Sequence, residues 1–103
     1  MELMKSISQS KLKELMNNQN IVIIDVRSPE EFNAQHIPNA INLTIEQLGN
    51  GELKIDDQIT VVTVCGKGGG RSEKAADYLR SFYKSDVYFL EEGTFGWFES
   101  ILE

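Results

Sequence analysis

The chain has little of what many familiar sites are built from. It holds one cysteine and one histidine in 103 residues. A lone cysteine closes no internal disulfide, which excludes a disulfide scaffold; the simplest expectation is a reducing compartment, the cytoplasm. Cys65 and His36 stand far apart in sequence and make no metal-ligand spacing, so neither a metal nor a cofactor is expected. Basic residues are scarce, 10 against 16 acidic ones, for a formal net charge of −6. That balance argues against nucleic acid, which wants a basic face, and against an anionic membrane surface. No apolar run approaches the roughly 20 residues of a membrane span. The opening "MELMKSISQSKLKELM" lacks the apolar centre of a secretory signal. There is no repeat, low-complexity tract or linker, and the length fits one domain, residues 1–103, with a single modest core.

What is present is an alternation of two patterns. "IVIID" (21–25), "AINL" (40–43), "ITVVTV" (59–64) and "VYFL" (87–90) are short apolar runs that suit strands covered on both faces. Between them lie helical patterns. Ser8 can cap a helix running to about Met16. Ser28, Pro29 and Glu31 form a capping box, and Thr44 with Gln47 repeats its spacing. The clearest helix starts at Ser72, with Ala75, Ala76, Leu79 and Phe82 on one face. A last helix begins at a possible Thr94 cap. Strands alternating with helices predict an α/β fold, a mostly parallel sheet with helices on both faces.

The one thiol sits at the mouth of an unusual loop, "TVVTVCGKGGGRSEKAADYL" (60–79). Cys65 follows the C-terminal end of the clearest strand, where open α/β sheets bind ligands. Gly66, Lys67, Gly68, Gly69, Gly70 and Arg71 lead to a helix N-terminus near Ser72, a place with unsatisfied N–H groups and partial positive charge. Glycines let successive amides turn inward and let the backbone approach a ligand. The expected result is a ring of amides around the Cys65 sulfur, an anion nest. It would stabilise a thiolate, the nucleophilic form of cysteine, or a charged group attached to it. Lys67 and Arg71 make the loop locally cationic in an acidic chain, which points to a small anion. The order of residues does not fit a phosphate-binding P-loop, because no Ser or Thr follows Lys67. A buried structural cysteine is the plain alternative.

The sequence resembles the single-domain rhodaneses, a sulfurtransferase family. The resemblance is carried by "IIDVRSPEEFNAQHIPNAINLT", by "VVTVCGKGGGRSEKAADYL" and by "YFLEEGTFGW", in that order. It implies a rhodanese-like domain with a five-stranded parallel sheet. It implies that Cys65 takes the outer sulfur of a small anionic donor such as thiosulfate as a persulfide. Cyanide, or a thiol that can belong to a protein, then accepts that sulfur. The substrate-binding residues would be Gly66 to Arg71 with Ser72, in a protein working as a monomer. Three positions depart from the family's pattern: Gln35 and Asn39 stand where glycines are usual, and Glu92 where the closing segment often has its first glycine.

Loop length opens a rival class. Five residues separate Cys65 from Arg71, where many of these sulfurtransferases have four. Cys-x5-Arg is the spacing of related phosphatases and arsenate reductases, in which Arg71 would clamp an oxyanion bidentately. Against them, Val64 replaces the histidine usual before the cysteine, and no acid lies in the loop. A non-catalytic binding module is a third class, although such modules typically lack the cysteine. Asp25 is read as a strand-end acid bonded to nearby backbone, or as a group orienting the loop. Arg27 with Glu31 resembles a structural ion pair of the family. His36 is expected to bond backbone beside Ile37. Phe95, Trp97 and Phe98 are read as core, with lining of the pocket mouth as the weaker reading. Lys67 either steers anions or is merely solvated.

Overall fold

A computed structural model of the chain describes residues 6–17, 20–51, 53–55, 58–67, 70–83 and 86–102, with backbone alone for 100–102. The elements run β1 (Ser6–Ile7), α1 (Gln9–Met16), β2 (Ile21–Asp25), α2 (Pro29–Ala34), β3 (Ile41–Asn42), α3 (Ile45–Gly49), β4 (Thr60–Val64), α4 (Gly70–Arg80), β5 (Val87–Leu90) and α5 (Gly93–Leu102). The strands form one five-stranded sheet in the order β1-β5-β4-β2-β3. Every pairing is parallel. β4 is central, with Val62 opposite Ile23 on one side and Tyr88 on the other.

Side chains alternate across this sheet, as the two-residue period of a strand requires. Ile24, Val61 and Phe89 pack with Leu48 of α3 and with Ala75, Ala76 and Leu79 of α4. Ile23, Val62, Val64 and Leu90 pack on the other face with Leu12 of α1 and Trp97 of α5. Both faces are therefore covered, which is why the strands read as continuous apolar runs. The small alanines on α4 let that helix lie close to the sheet.

Local signals set the element starts. The Ser8 side chain accepts from the Lys11 amide and caps α1. Ser28 with Glu31, and Thr44 with Gln47, both close as reciprocal capping boxes. Asn39 adopts a φ of 71°, the left-handed conformation that asparagine tolerates in place of glycine.

Four expectations need correction. β1 was not anticipated: it is two residues long, too short for a periodic signal, and it exists because Ser6 and Ile7 pair with Phe89 and Leu90. α4 starts at Gly70 rather than Ser72 and ends at Arg80. Phe82 consequently lies beyond the helix, and it is 67% exposed rather than on the apolar face. Thr94 is not a cap, since α5 begins at Gly93 with a φ of 72° and Thr94 is fully buried.

Candidate active site

The C-terminal ends of β2 and β4 lie side by side, with Asp25 opposite Val64. Cys65 is the first residue past β4 and is 5% exposed. Its chain direction is fixed by α5. The Thr94 amide donates to the Cys65 carbonyl at 2.8 Å, and the Phe95 amide to the Gly66 carbonyl at 3.0 Å. These two amides belong to the first turn of α5 and have no acceptor within that helix. The loop and α5 thus satisfy each other, and two successive loop carbonyls are drawn toward α5.

Ser72, in the first turn of α4, is fully buried. The Cys65 Sγ donates to Ser72 Oγ at 3.3 Å. Thr63, on β4, donates its hydroxyl to the Ser72 carbonyl at 2.7 Å. The strand that carries the thiol therefore also holds the helix turn that faces it. A serine hydroxyl can reverse its role, accepting from a thiol and donating to a thiolate.

The glycines have different reasons to be there. A Cβ on Gly66 would stand 3.0 Å from Phe95 Cε2, so that position serves close approach. Gly70 has a φ of +32° with open space around it, so it serves conformation. Gly68 and Gly69 lie outside the described residues. Lys67 is exposed. It lines a groove of about 480 Å³ together with Glu92, Phe95, Gly96 and Glu99. Phe95 is 45% exposed and lies at the mouth of the loop, whereas Trp97 is core.

Arg71 is exposed and turned onto α2. Its Nη1 is 3.1 Å from Glu31 Oε1 and its Nη2 is 3.4 Å from Oε2. The pairing holds the Glu31 carboxyl at about 2 against an ordinary 4.5, through the hydrogen bond from Arg71 first and the Ser28 amide next. The same carboxylate raises the Arg71 guanidinium further, with smaller contributions from Cys65 and Asp25.

Glu31 was expected to pair with Arg27; it does not. Arg27 is buried against Asp25, with Nη2 2.8 Å from Oδ2. Arg27 also donates to the Gln35 carbonyl, and its guanidinium lies 5.9 Å from the Phe95 ring centroid. Asp25 Oδ1 accepts from the Arg27 amide at 3.0 Å, the local backbone bond expected of a strand-end acid. His36 stacks on Phe32 with centroids 3.9 Å apart, and its Nδ1 bonds the Phe32 carbonyl at 2.8 Å. Sequence reasoning missed Glu31 as the partner of Arg71. The only available signal was its place in the capping box, which fixes its backbone but not the cation it meets.

A doubly covered parallel sheet with a cysteine loop running from its central strand into a helix N-terminus defines a class of α/β proteins. Comparison with known proteins narrows the class. The model of the rhodanese-like domain family matches residues 8–100, and the chain belongs to that family. The thiosulfate sulfurtransferase GlpE of Shewanella oneidensis is 33% identical over 96 residues, covering 93% of this chain and 94% of that protein. The crystal structure of a rhodanese-related protein from Thermoplasma volcanium superposes with a TM-score of 0.81 at 26% identity, over 93% of this chain and 92% of that one. A rhodanese-like domain protein from Staphylococcus aureus has a TM-score of 0.78 at 30% identity, over 91% of each chain.

Proposed function

We propose that this protein is a sulfurtransferase of the rhodanese-like family that carries a sulfane sulfur on Cys65, working as a single monomeric domain in the cytoplasm. The observation that carries the reading is the buried Cys65 sulfur, 3.3 Å from Ser72 Oγ at the start of α4. The similarity to GlpE supports the choice of chemistry.

The reaction has two halves. The Cys65 thiolate attacks the outer sulfur of thiosulfate. A new S–S bond forms, the old one breaks, and sulfite leaves with the electron pair. The product is a Cys65 persulfide anion, held by the Ser72 hydroxyl. A thiolate or cyanide then attacks the outer sulfur and takes it, returning Cys65 as thiolate. Lys67 and Arg71 draw the anionic donor to the loop. The groove bounded by Lys67, Phe95 and Glu99 is open to the acceptor.

Intact-mass spectrometry after incubation with thiosulfate tests this. One sulfur atom should add to the protein and should leave on treatment with cyanide. Cys65→Ala should acquire none. A protein that stays unmodified by both thiosulfate and mercaptopyruvate is not a sulfurtransferase. Turnover of aryl phosphate or arsenate would then favour the oxyanion reading, whose support is the five-residue spacing of Cys65 and Arg71.

A further inference from the structure

Arg71 has a carboxylate on it already. Glu31 presents both oxygens to the two terminal nitrogens of the guanidinium, at 3.1 and 3.4 Å. We propose that Glu31 is a specificity-determining residue of this loop. It is an internal carboxylate that occupies Arg71 and lowers the loop's affinity for oxyanions that need the guanidinium, relative to sulfur transfer. The inference rests on the reading of the Cys65 loop as the anion site.

Three observations support it. First, a guanidinium offers carboxylate and phosphate the same two-pronged edge. An oxyanion clamped by Arg71 must therefore displace Glu31. Second, Glu31 is held in place without Arg71. Its Oε1 accepts from the Ser28 amide at 3.0 Å, within the capping box that starts α2. Third, the arginine is free to exchange partners. Its side chain is 50% exposed, and it follows Gly70, whose φ is +32°.

The discrimination follows from what each ligand requires. A persulfide adds one sulfur beside Ser72 and needs no guanidinium. A tetrahedral oxyanion in a five-residue loop has oxygens left over for Arg71. Glu31 thus opposes the oxyanion and leaves the persulfide untouched. It also recovers Arg71 when sulfite leaves, which favours product release. An exposed pair of this kind is worth up to about fivefold in an equilibrium constant.

Glu31→Gln separates this role from that of a strap between α2 and α4. Glutamine serves equally at the third position of a capping box, so the helix start is kept while the charge is removed. The measurement is protection of Cys65 from iodoacetamide by inorganic phosphate, read by intact mass. Glu31→Gln should lower the phosphate concentration for half-protection by about three- to fivefold. Glu31→Asp, one methylene short of Arg71, should shift it the same way by less. In an Arg71→Ala background, Glu31→Gln should change nothing. The thiosulfate KM should fall in Glu31→Gln by less than the phosphate half-protection concentration does, because the sulfur delivered to Cys65 needs no guanidinium; an equal fall overturns the proposal. Unchanged half-protection, a gain that survives Arg71→Ala, or no protection by phosphate in any of these proteins overturns the proposal. Sulfane loading of the unmodified protein by thiosulfate is scored separately. Its absence sinks the sulfurtransferase reading and leaves the phosphate result to stand alone.

Discussion

Asp25, the last residue of β2, and Arg27, two residues on, form a buried ion pair whose side chains are 0% and 2% exposed. The guanidinium makes three contacts to the carboxylate and donates to the Gln35 carbonyl at the end of α2. It ties the strand that borders β4 to the helix that carries Glu31. Removing one partner leaves the other as a buried unpaired charge. Asp25→Ala should therefore cost about 3–5 kcal/mol, measured from urea midpoints. The double change Asp25→Ala with Arg27→Met should cost less than the single one, since an apolar replacement leaves no orphaned charge.

Gly96→Ala tests the packing of α5 against the turn before it. An added Cβ would stand 2.3 Å from Glu92 Cβ, closer than any real contact, so something must move. Glu92 cannot yield freely, because its Oε1 accepts from the Gln9 amide at 3.0 Å and caps the start of α1. The expected loss is about 1–3 kcal/mol, the usual range for overpacking. Glu92→Gly in the same background removes the clashing Cβ and should recover part of it, which a double-mutant cycle would show.

The Glu31–Arg71 pair predicts an acid-side effect on stability. The Glu31 carboxyl titrates near about 2 in the folded protein, below its ordinary 4.5. A depressed carboxylate contributes stability that is fully present above the ordinary value and lost as pH falls toward the folded one. Because the Glu31 side chain is 39% exposed, solvent screening holds the contribution to at most about 1 kcal/mol. Urea midpoints of wild type and Glu31→Gln should differ near neutral pH and converge as pH drops from about 4.5 to about 2. Added salt should shrink the difference, as expected for an exposed pair.

These pairings mark the border of what could be read from the chain alone. β2, β4 and β5 were legible because each is covered on both faces, so its apolar run is continuous, whereas β3 is a two-residue edge strand with Ile41 exposed. The starts of α1, α2 and α3 were legible because Ser8, Ser28 and Thr44 act on amides three residues away. Cys65 stands out in the sequence as the centre of a candidate site because its chemistry and its glycines are adjacent. Contacts across the fold left no such trace. Arg71 finds Glu31 forty residues away, and Arg27 chooses Asp25 over Glu31. β1 exists only through β5. Thr94 looked like a helix cap, but α5 begins one residue earlier, at Gly93, and the Thr94 amide donates to the Cys65 carbonyl.

That hydrogen bond fixes the Cys65 backbone from one side, and Ser72 meets its sulfur from the other, which sets the last prediction. Ser72 Oγ is 3.3 Å from Sγ in a fully buried position. As a donor to a thiolate or persulfide it makes a hydrogen bond to a charged atom, of a kind worth about 1.5–3 kcal/mol. Sulfur is a diffuse acceptor, so the low end applies, and Ser72→Ala should slow sulfane loading by about tenfold. Stability should hold, because alanine is the better helix former and the Ser72 carbonyl that Thr63 binds is backbone. Thr63→Val gives the contrasting case. It removes the tether between β4 and α4 without touching the sulfur, and should cost about 1 kcal/mol of stability with a smaller effect on rate. Stopped-flow cyanolysis and urea denaturation of the two variants would separate these outcomes. If Ser72→Ala loads sulfur at the wild-type rate, the hydroxyl only fills space and does not hold the charge on sulfur.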